Sequence, residues 1–285
     1  MCAALKNKKA VILGSGGARG LAHLGVWKTL CDMGFKKADF ISGTSMGAFI
    51  GALMADCKNI DSVYRTITGM STHDWLKLFT LHIPVSGFVS GKKIERFMSG
   101  FFKKKKIEDL KTKFMCCAFN YSRSREEYFE RGPLVNALRA SMSIPVILDP
   151  YKIKSDYYVD GAVAEPLPIK PAVERGFTDM LVINVVSKPT RHEFSDVMTN
   201  RFHFIKKNPR SAPAPALLEV AVNNLNFLEW QLIQNEKEIY KPRFCLDIPT
   251  DEYHLLDFTK SKEIILLGEN TALKNRDMLL EFLNS

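Results

Sequence analysis

No apolar run in this 285-residue chain approaches the roughly 18–20 residues that a bilayer-spanning helix needs, so a membrane-embedded architecture is not expected. The basic Met1–Lys9 is followed by only a short apolar stretch, Ala10–Leu13, before glycines interrupt it. That is too little for a secretory leader, so a cytoplasmic location is expected. None of the six cysteines forms a Cys-x-x-Cys pair, and no His/Cys cluster has zinc spacing, so no metal is expected. Cys116-Cys117 lies within the apolar run Phe114–Phe119 and reads as reduced core thiols, in keeping with a reducing compartment. The chain is short of acidic charge: 31 Asp and Glu against 40 Lys and Arg give +9. Such a surface attracts polyanions. Zinc-finger spacing, aromatic ribonucleoprotein signatures and a basic zipper are all missing, so no nucleic acid is expected and an anionic lipid surface remains. There is no internal repeat.

What is present is an α/β order. Lys9–Leu13 reads as a buried strand, followed by the glycine loop Gly14–Gly20 and a helix from Leu21 to Met33 with Gly34 as its stop. Ala38–Ser42 is a second strand, leading into Gly43-Thr44-Ser45-Met46-Gly47 and another helix. This alternation predicts a parallel sheet with crossover helices. Gly47, Gly51 and Ala55 fall at steps of four, a small-residue stripe that lets the second helix lie close to the sheet. Further strands are expected at Phe114–Phe119, Glu126–Glu130, Tyr157–Val159, Met180–Val186 and Arg243–Ile248. Helices are expected at Gly91–Phe102, Leu134–Met142 (with Pro133 in the first turn), Ala216–Tyr240 and Ser261–Leu283. The loop 209–215 is rich in Pro and Ala. The whole reads as one domain over 1–285, with a motif-bearing core over about 9–190 and a helical extension over about 191–285.

Gly43–Gly47 has the form Gly-x-Ser-x-Gly at a strand-to-helix turn. Flanking glycines permit the strained backbone that pushes a serine hydroxyl outward, where an acyl-transferring nucleophile must stand. The glycine loop fails as a dinucleotide site, because Gly-x-Gly-x-x-Gly would need a glycine at Arg19, and no Gly-Lys-Ser/Thr follows for a P-loop. What remains is a run of N–H groups near a helix start, suited to an oxyanion. Ser45 needs a base. A Ser-acid-His order would favour His254, which stands in a polar loop with no signature; His23, on the helix after the glycine loop, reads as a packing residue. Asp160, at the end of an apolar strand before Gly161, is the better-placed carboxylate, although Asp-Gly alone is an ordinary turn.

Taken in order, Gly16-Gly17-Ala18-Arg19-Gly20, Gly43-Thr44-Ser45-Met46-Gly47 and Asp160-Gly161-Ala162 resemble the patatin-like phospholipase family. Leu21–Val26, Ala140–Pro145 and Pro166–Ile169 fit the same resemblance, which covers roughly Lys9 to Val186. It implies a three-layer α/β/α sandwich with a mostly parallel central sheet. It also implies a Ser-Asp dyad without histidine: Ser45 as nucleophile and Asp160 as base. Gly16, Gly17, Ala18 and Arg19 would form the oxyanion hole, with Gly43, Gly47 and Gly161 shaping the turns and no cofactor. Arg19 is left with two roles, holding the loop or meeting a lipid phosphate. Ser15 and Ala162 depart from the family, where glycine is frequent at both positions. The implied activity is hydrolysis of phospholipid or lysophospholipid acyl esters. A lipid acyltransferase of identical machinery and a non-catalytic lipid-surface binder are the alternatives. Lys103, Lys104, Lys105 and Lys106, after the amphipathic helix Gly91–Phe102, read either as a solvated run or as a basic rim for peripheral contact with anionic membrane.

Overall fold

The computed structural model of the chain describes residues 8–78, 91–189 and 214–285, with side chains from residue 220 onward in the last segment. Cys2, His82, His192, His203 and most of the 209–215 loop lie outside the described residues. The remaining five cysteines are free thiols, Cys116 and Cys117 buried.

Among the described residues, eight strands form one sheet: β1 (Lys9–Leu13), β2 (Phe40–Thr44), β3 (Lys113–Asn120), β4 (Arg125–Phe129), β5 (Tyr151–Ile153), β6 (Asp156–Asp160), β7 (Asp179–Asn184) and β8 (Phe244–Asp247). The order is β5-β6-β3-β2-β1-β7-β8, with β4 also on β3. The centre is parallel, from β3 through β2, β1 and β7 to β8, and β4, β5 and β6 add antiparallel pairs. Side chains alternate between faces along each strand. Val11, Leu13, Ile41, Leu181 and Ile183 enter one core, whereas Ala10, Ile12, Phe40, Met180 and Val182 enter a second. The first core packs helices α1 (Ala22–Asp32), α2 (Met46–Ala55), α3 (Ile60–Thr68), α5 (Gly91–Phe102), α6 (Leu134–Ser141), α9 (Ser261–Lys274) and α10 (Arg276–Asn284). The second packs α7 (Lys170–Glu174) and the long α8 (Ala214–Tyr240). This is a three-layer α/β/α sandwich.

Local chemistry explains most boundaries. Gly34, at φ 98°, follows α1, and the Phe35 amide reaches back to the Leu30 carbonyl, closing the helix end. The strand expected at Ala38–Ser42 runs instead from Phe40 to Thr44, up to the serine turn itself. Pro133 is the N-cap of α6 rather than its first-turn residue. The helix expected over Ser261–Leu283 is two, broken at Asn275, which leaves helical geometry (φ −105°, ψ 26°). Two short helices, α3, capped by the Asn59 side chain on the Ser62 amide, and α4 (Thr72–Leu78), capped by Ser71 and Asp74, and strand β5 are additional to the expected elements.

The edge of β3 sets the site. β4 pairs with Cys116–Asn120 on one edge. The other edge is therefore shared end to end: β2 occupies it from Lys113 to Cys117, and β6 from Ala118 to Asn120. β2 runs parallel to β3 and β6 antiparallel, so their C-terminal ends meet head-on. Thr44 faces Cys117 and Asp160 faces Ala118. Ser45, the next residue after Thr44, is thus delivered beside Asp160.

Candidate active site

Ser45 is the N-cap of α2, with φ 56° and ψ −123°, a strained conformation for a residue with a side chain. The turn closes only with glycine on both sides. A Cβ on Gly43 would stand 2.6 Å from the Gly47 carbonyl carbon, and one on Gly47 would stand 2.3 Å from the Leu13 carbonyl oxygen. Gly161 is equally confined, 2.4 Å from the Cys117 oxygen. The Ser45 amide donates to Ser141 Oγ at 2.9 Å, and that hydroxyl donates to the Cys117 carbonyl at 2.6 Å.

Ser45 Oγ donates to Asp160 Oδ2 at 2.6 Å, a short charge-assisted bond between two buried side chains. Asp160 Oδ1 accepts the Ala162 amide at 2.9 Å, and the Asp160 amide donates to the Ser143 carbonyl at 2.8 Å. Burial pushes the Asp160 carboxyl up to about 7. The bonds from Ser45 and Ala162 oppose that rise, Glu229 adds to it and Arg139 works against it.

Among the described residues, no histidine lines the cavities at Ser45. His23 bonds the Gly14 carbonyl through Nε2 at 2.8 Å, and burial lowers its pKa to about 4, so it stands neutral beneath the glycine loop. His254 donates its amide to Asp257, and His73 is exposed.

In the glycine loop, Gly16 (φ 145°) and Gly17 (φ 57°) line the cavity with Ser45 and Asp160. Their amides take no protein acceptor among the described residues. The other two expected donors are engaged: the Ala18 amide donates to the Leu255 carbonyl at 2.8 Å and the Arg19 amide to the Gly16 carbonyl at 3.1 Å. Arg19 is buried, with its guanidinium turned toward the long helix α8. Its Nε donates to the Gly16 carbonyl at 3.3 Å and its Nη2 to Asn226 Oδ1 at 3.1 Å, with Glu229 Oε2 at 3.9 Å. Of the two roles open to Arg19, the structure supports holding the loop.

Two cavities meet at Ser45. One is partly polar, lined by Ser15, Gly16, Asp160, Asn226 and Glu229. The other is apolar, about 580 Å³ including its open mouth, and lined by Phe49, Trp75, Ile94, Phe97, Met98 and Phe258 among others. Gly17, Ser45 and Ile144 belong to both. The arrangement can receive a long apolar group on one side of a nucleophile and a polar group on the other. No group of three or more His, Cys, Asp or Glu residues is gathered for a metal among the described residues.

Asn226 and Glu229 are site-lining residues that motif reading missed. They belong to the stripe Val222, Asn226, Glu229, Ile233 along α8, buried throughout. Polar residues on an otherwise apolar helical stripe are the signal that could have found them. Of the basic run, Lys103, Lys104 and Lys106 are exposed, whereas Lys105 pairs with the buried carboxylate of Asp56, which Lys58 also meets at 3.1 Å.

The chain is similar to the lysophospholipase NTE1 of Candida albicans, with 30% identity over 274 residues. It is also similar to that of Lodderomyces elongisporus, with 29% identity over 275 residues. The alignments take in 90% and 93% of this chain but 19% of each relative, so the chain spans about a fifth of their length. In fold it resembles VipD from Legionella pneumophila, with a TM-score of 0.52 at 14% identity, covering 96% of this chain and 67% of that one. The sequence pattern of the patatin-like phospholipases matches residues 11–173. That match covers more than half of the chain and contains the glycine loop, Ser45 and Asp160, so the chain belongs to the patatin-like phospholipase family.

Proposed function

We propose that the chain is a serine esterase that cleaves fatty-acyl esters of lysophospholipids and phospholipids through a Ser45–Asp160 dyad. The observation that carries this reading is the 2.6 Å bond from Ser45 Oγ to Asp160 Oδ2 at the junction of an apolar cavity and a partly polar one. The relatives named lysophospholipase supply the substrate class.

The acyl chain enters the apolar cavity and the glycerol side of the ester takes the partly polar one, towards Ser15, Asn226 and Glu229. Ser45 Oγ attacks the carbonyl carbon as its proton passes to Asp160, an acceptor matched to the task by its raised pKa. The Gly16 and Gly17 amides receive the developing oxyanion, and the positive end of α2 adds to the field at Ser45. Collapse breaks the ester C–O bond, and Asp160 returns the proton to the leaving alkoxide. Water then repeats the sequence on the acyl-enzyme, releasing the fatty acid and restoring the Ser45 hydroxyl. Free fatty acid, rather than a transacylated lipid, is the product that separates this activity from an acyltransferase.

A fluorophosphonate probe is expected to label the wild-type chain and not Ser45→Ala, and lysophospholipid hydrolysis is expected to disappear with the labelling. Equal labelling of both proteins would remove Ser45 from the nucleophile's role. Peripheral membrane contact, in this reading, uses the exposed Lys103, Lys104 and Lys106, with Lys105 committed to Asp56. Binding to anionic vesicles should weaken with salt and with Lys103→Glu/Lys104→Glu.

A further inference from the structure

The free amides of Gly16 and Gly17 belong to two residues at positive φ, and a glycine has more conformational freedom to lose than any residue with a side chain. A loop of this kind keeps its donors aimed only if something outside it holds it. Ser15 and Arg19 stand on either side of the Gly16-Gly17 step, and both reach the same side chain on α8. Glu229 Oε1 accepts the Ser15 hydroxyl, and Glu229 Oε2 lies 3.9 Å from Arg19 Nη2. Asn226, one turn earlier, accepts from that same nitrogen, and Arg19 Nε closes back on the Gly16 carbonyl. Glu229 itself is buried and lines the cavity that holds Ser45 and Asp160. It lies beyond the residues that match the family pattern.

We propose that Glu229 is a positioning residue for catalysis: it grips the glycine loop on both sides of Gly16-Gly17, through Ser15 and Arg19, and so aims their amides at the ester carbonyl oxygen. This rests on the Ser45–Asp160 reading. A buried charged group is a poor way to gain stability, since its desolvation offsets much of its pairing. What it supplies here is geometry, and a displacement of the order of an ångström at a reacting centre costs about 10²-fold in rate.

The test uses the full chain, a water-soluble short-chain p-nitrophenyl ester and a fluorophosphonate, with Glu229→Gln, Ser15→Ala, their double variant and Ser45→Ala. Glu229→Gln is expected to lower kcat about 10- to 100-fold with KM within about twofold, and to slow phosphonylation of Ser45 in the same proportion. Ser15→Ala should lower kcat less, and the double variant should be no slower than Glu229→Gln alone, because both changes cut one link. Wild-type kcat in Glu229→Gln, an effect on KM alone, or losses that simply multiply would overturn the inference. If Glu229→Gln does not fold, Ser15→Ala must still lower kcat at unchanged KM, and wild-type kcat there overturns it equally. Undiminished turnover in Ser45→Ala would instead overturn the dyad reading itself.

Discussion

Asp160 carries two opposed consequences of its burial. Attack by Ser45 needs the carboxylate, and burial has lifted its pKa to about 7. kcat/KM should therefore rise with pH, reach half its plateau near pH 7 and level off about one unit higher. The groups that face Asp160 are the Ser45 hydroxyl, the Ala162 amide, Glu229 from α8 and Arg139 from α6, so Glu229→Gln should move the rise to lower pH. A profile flat from pH 5 to pH 9 would rule Asp160 out as the base. Stability runs the other way. In the unfolded chain the carboxyl titrates near 3.8, so below that both states hold the proton and the site brings no penalty. As pH rises toward 7 the unfolded chain releases its proton first, and the stability present at low pH is lost as pH passes through the folded value. The full difference is about 4 kcal/mol. Asp160→Asn should thus be inactive yet more stable than wild type at pH 8, with the gain vanishing near pH 4. Thermal unfolding at the two pH values reads this directly, and equal stability of variant and wild type at pH 8 would sink the argument.

At the scale of elements, glycines that look alike in sequence do opposite things. Gly47 and Gly100 both lie in helices. A Cβ on Gly47 would strike the Leu13 carbonyl at 2.3 Å, whereas one on exposed Gly100 meets nothing within 4 Å. Gly100→Ala should therefore stabilise by about 0.5–1 kcal/mol, and Gly47→Ala should destabilise by more than about 2 kcal/mol and remove activity. Urea unfolding of the two variants checks both signs. This distinction marks what could be read from the chain. The stripe Gly47, Gly51, Ala55 and the turn around Ser45 are local, so spacing alone located them. The meeting of Ser45 with Asp160 is not local: it depends on β2 and β6 sharing one edge of β3, which a separation of 115 positions in sequence does not announce. Asn226 and Glu229 were harder still, because a glutamate on a long helix ordinarily faces water. Only the sheet and the glycine loop beneath them turn that stripe into a buried one.

For the whole molecule, the decisive contacts are those joining the last third to the first. α1 and α9 cross backbone to backbone: a Cβ on Gly25 would stand 2.0 Å from the Ile265 carbonyl, and one on Gly268 would stand 2.1 Å from that of Ala22. β8 extends the sheet from β7, and the Leu255 carbonyl takes the Ala18 amide. If these contacts make one cooperative unit, unfolding should be a single calorimetric transition. Gly268→Ala separates the possibilities, because Gly268 belongs to α9 and packs directly on the α1 backbone at Ala22. Forcing the two helices apart should cost at least about 2 kcal/mol and lower the one transition by roughly 5 °C without splitting it. In a chain of two independent units the same substitution would shift one transition and leave the other in place. Activity should fall together with the fold, since α8 reaches the glycine loop only while the last third stays docked. A variant that lost its C-terminal transition yet kept full turnover would show that Asn226, Glu229 and Leu255 are bystanders to the site.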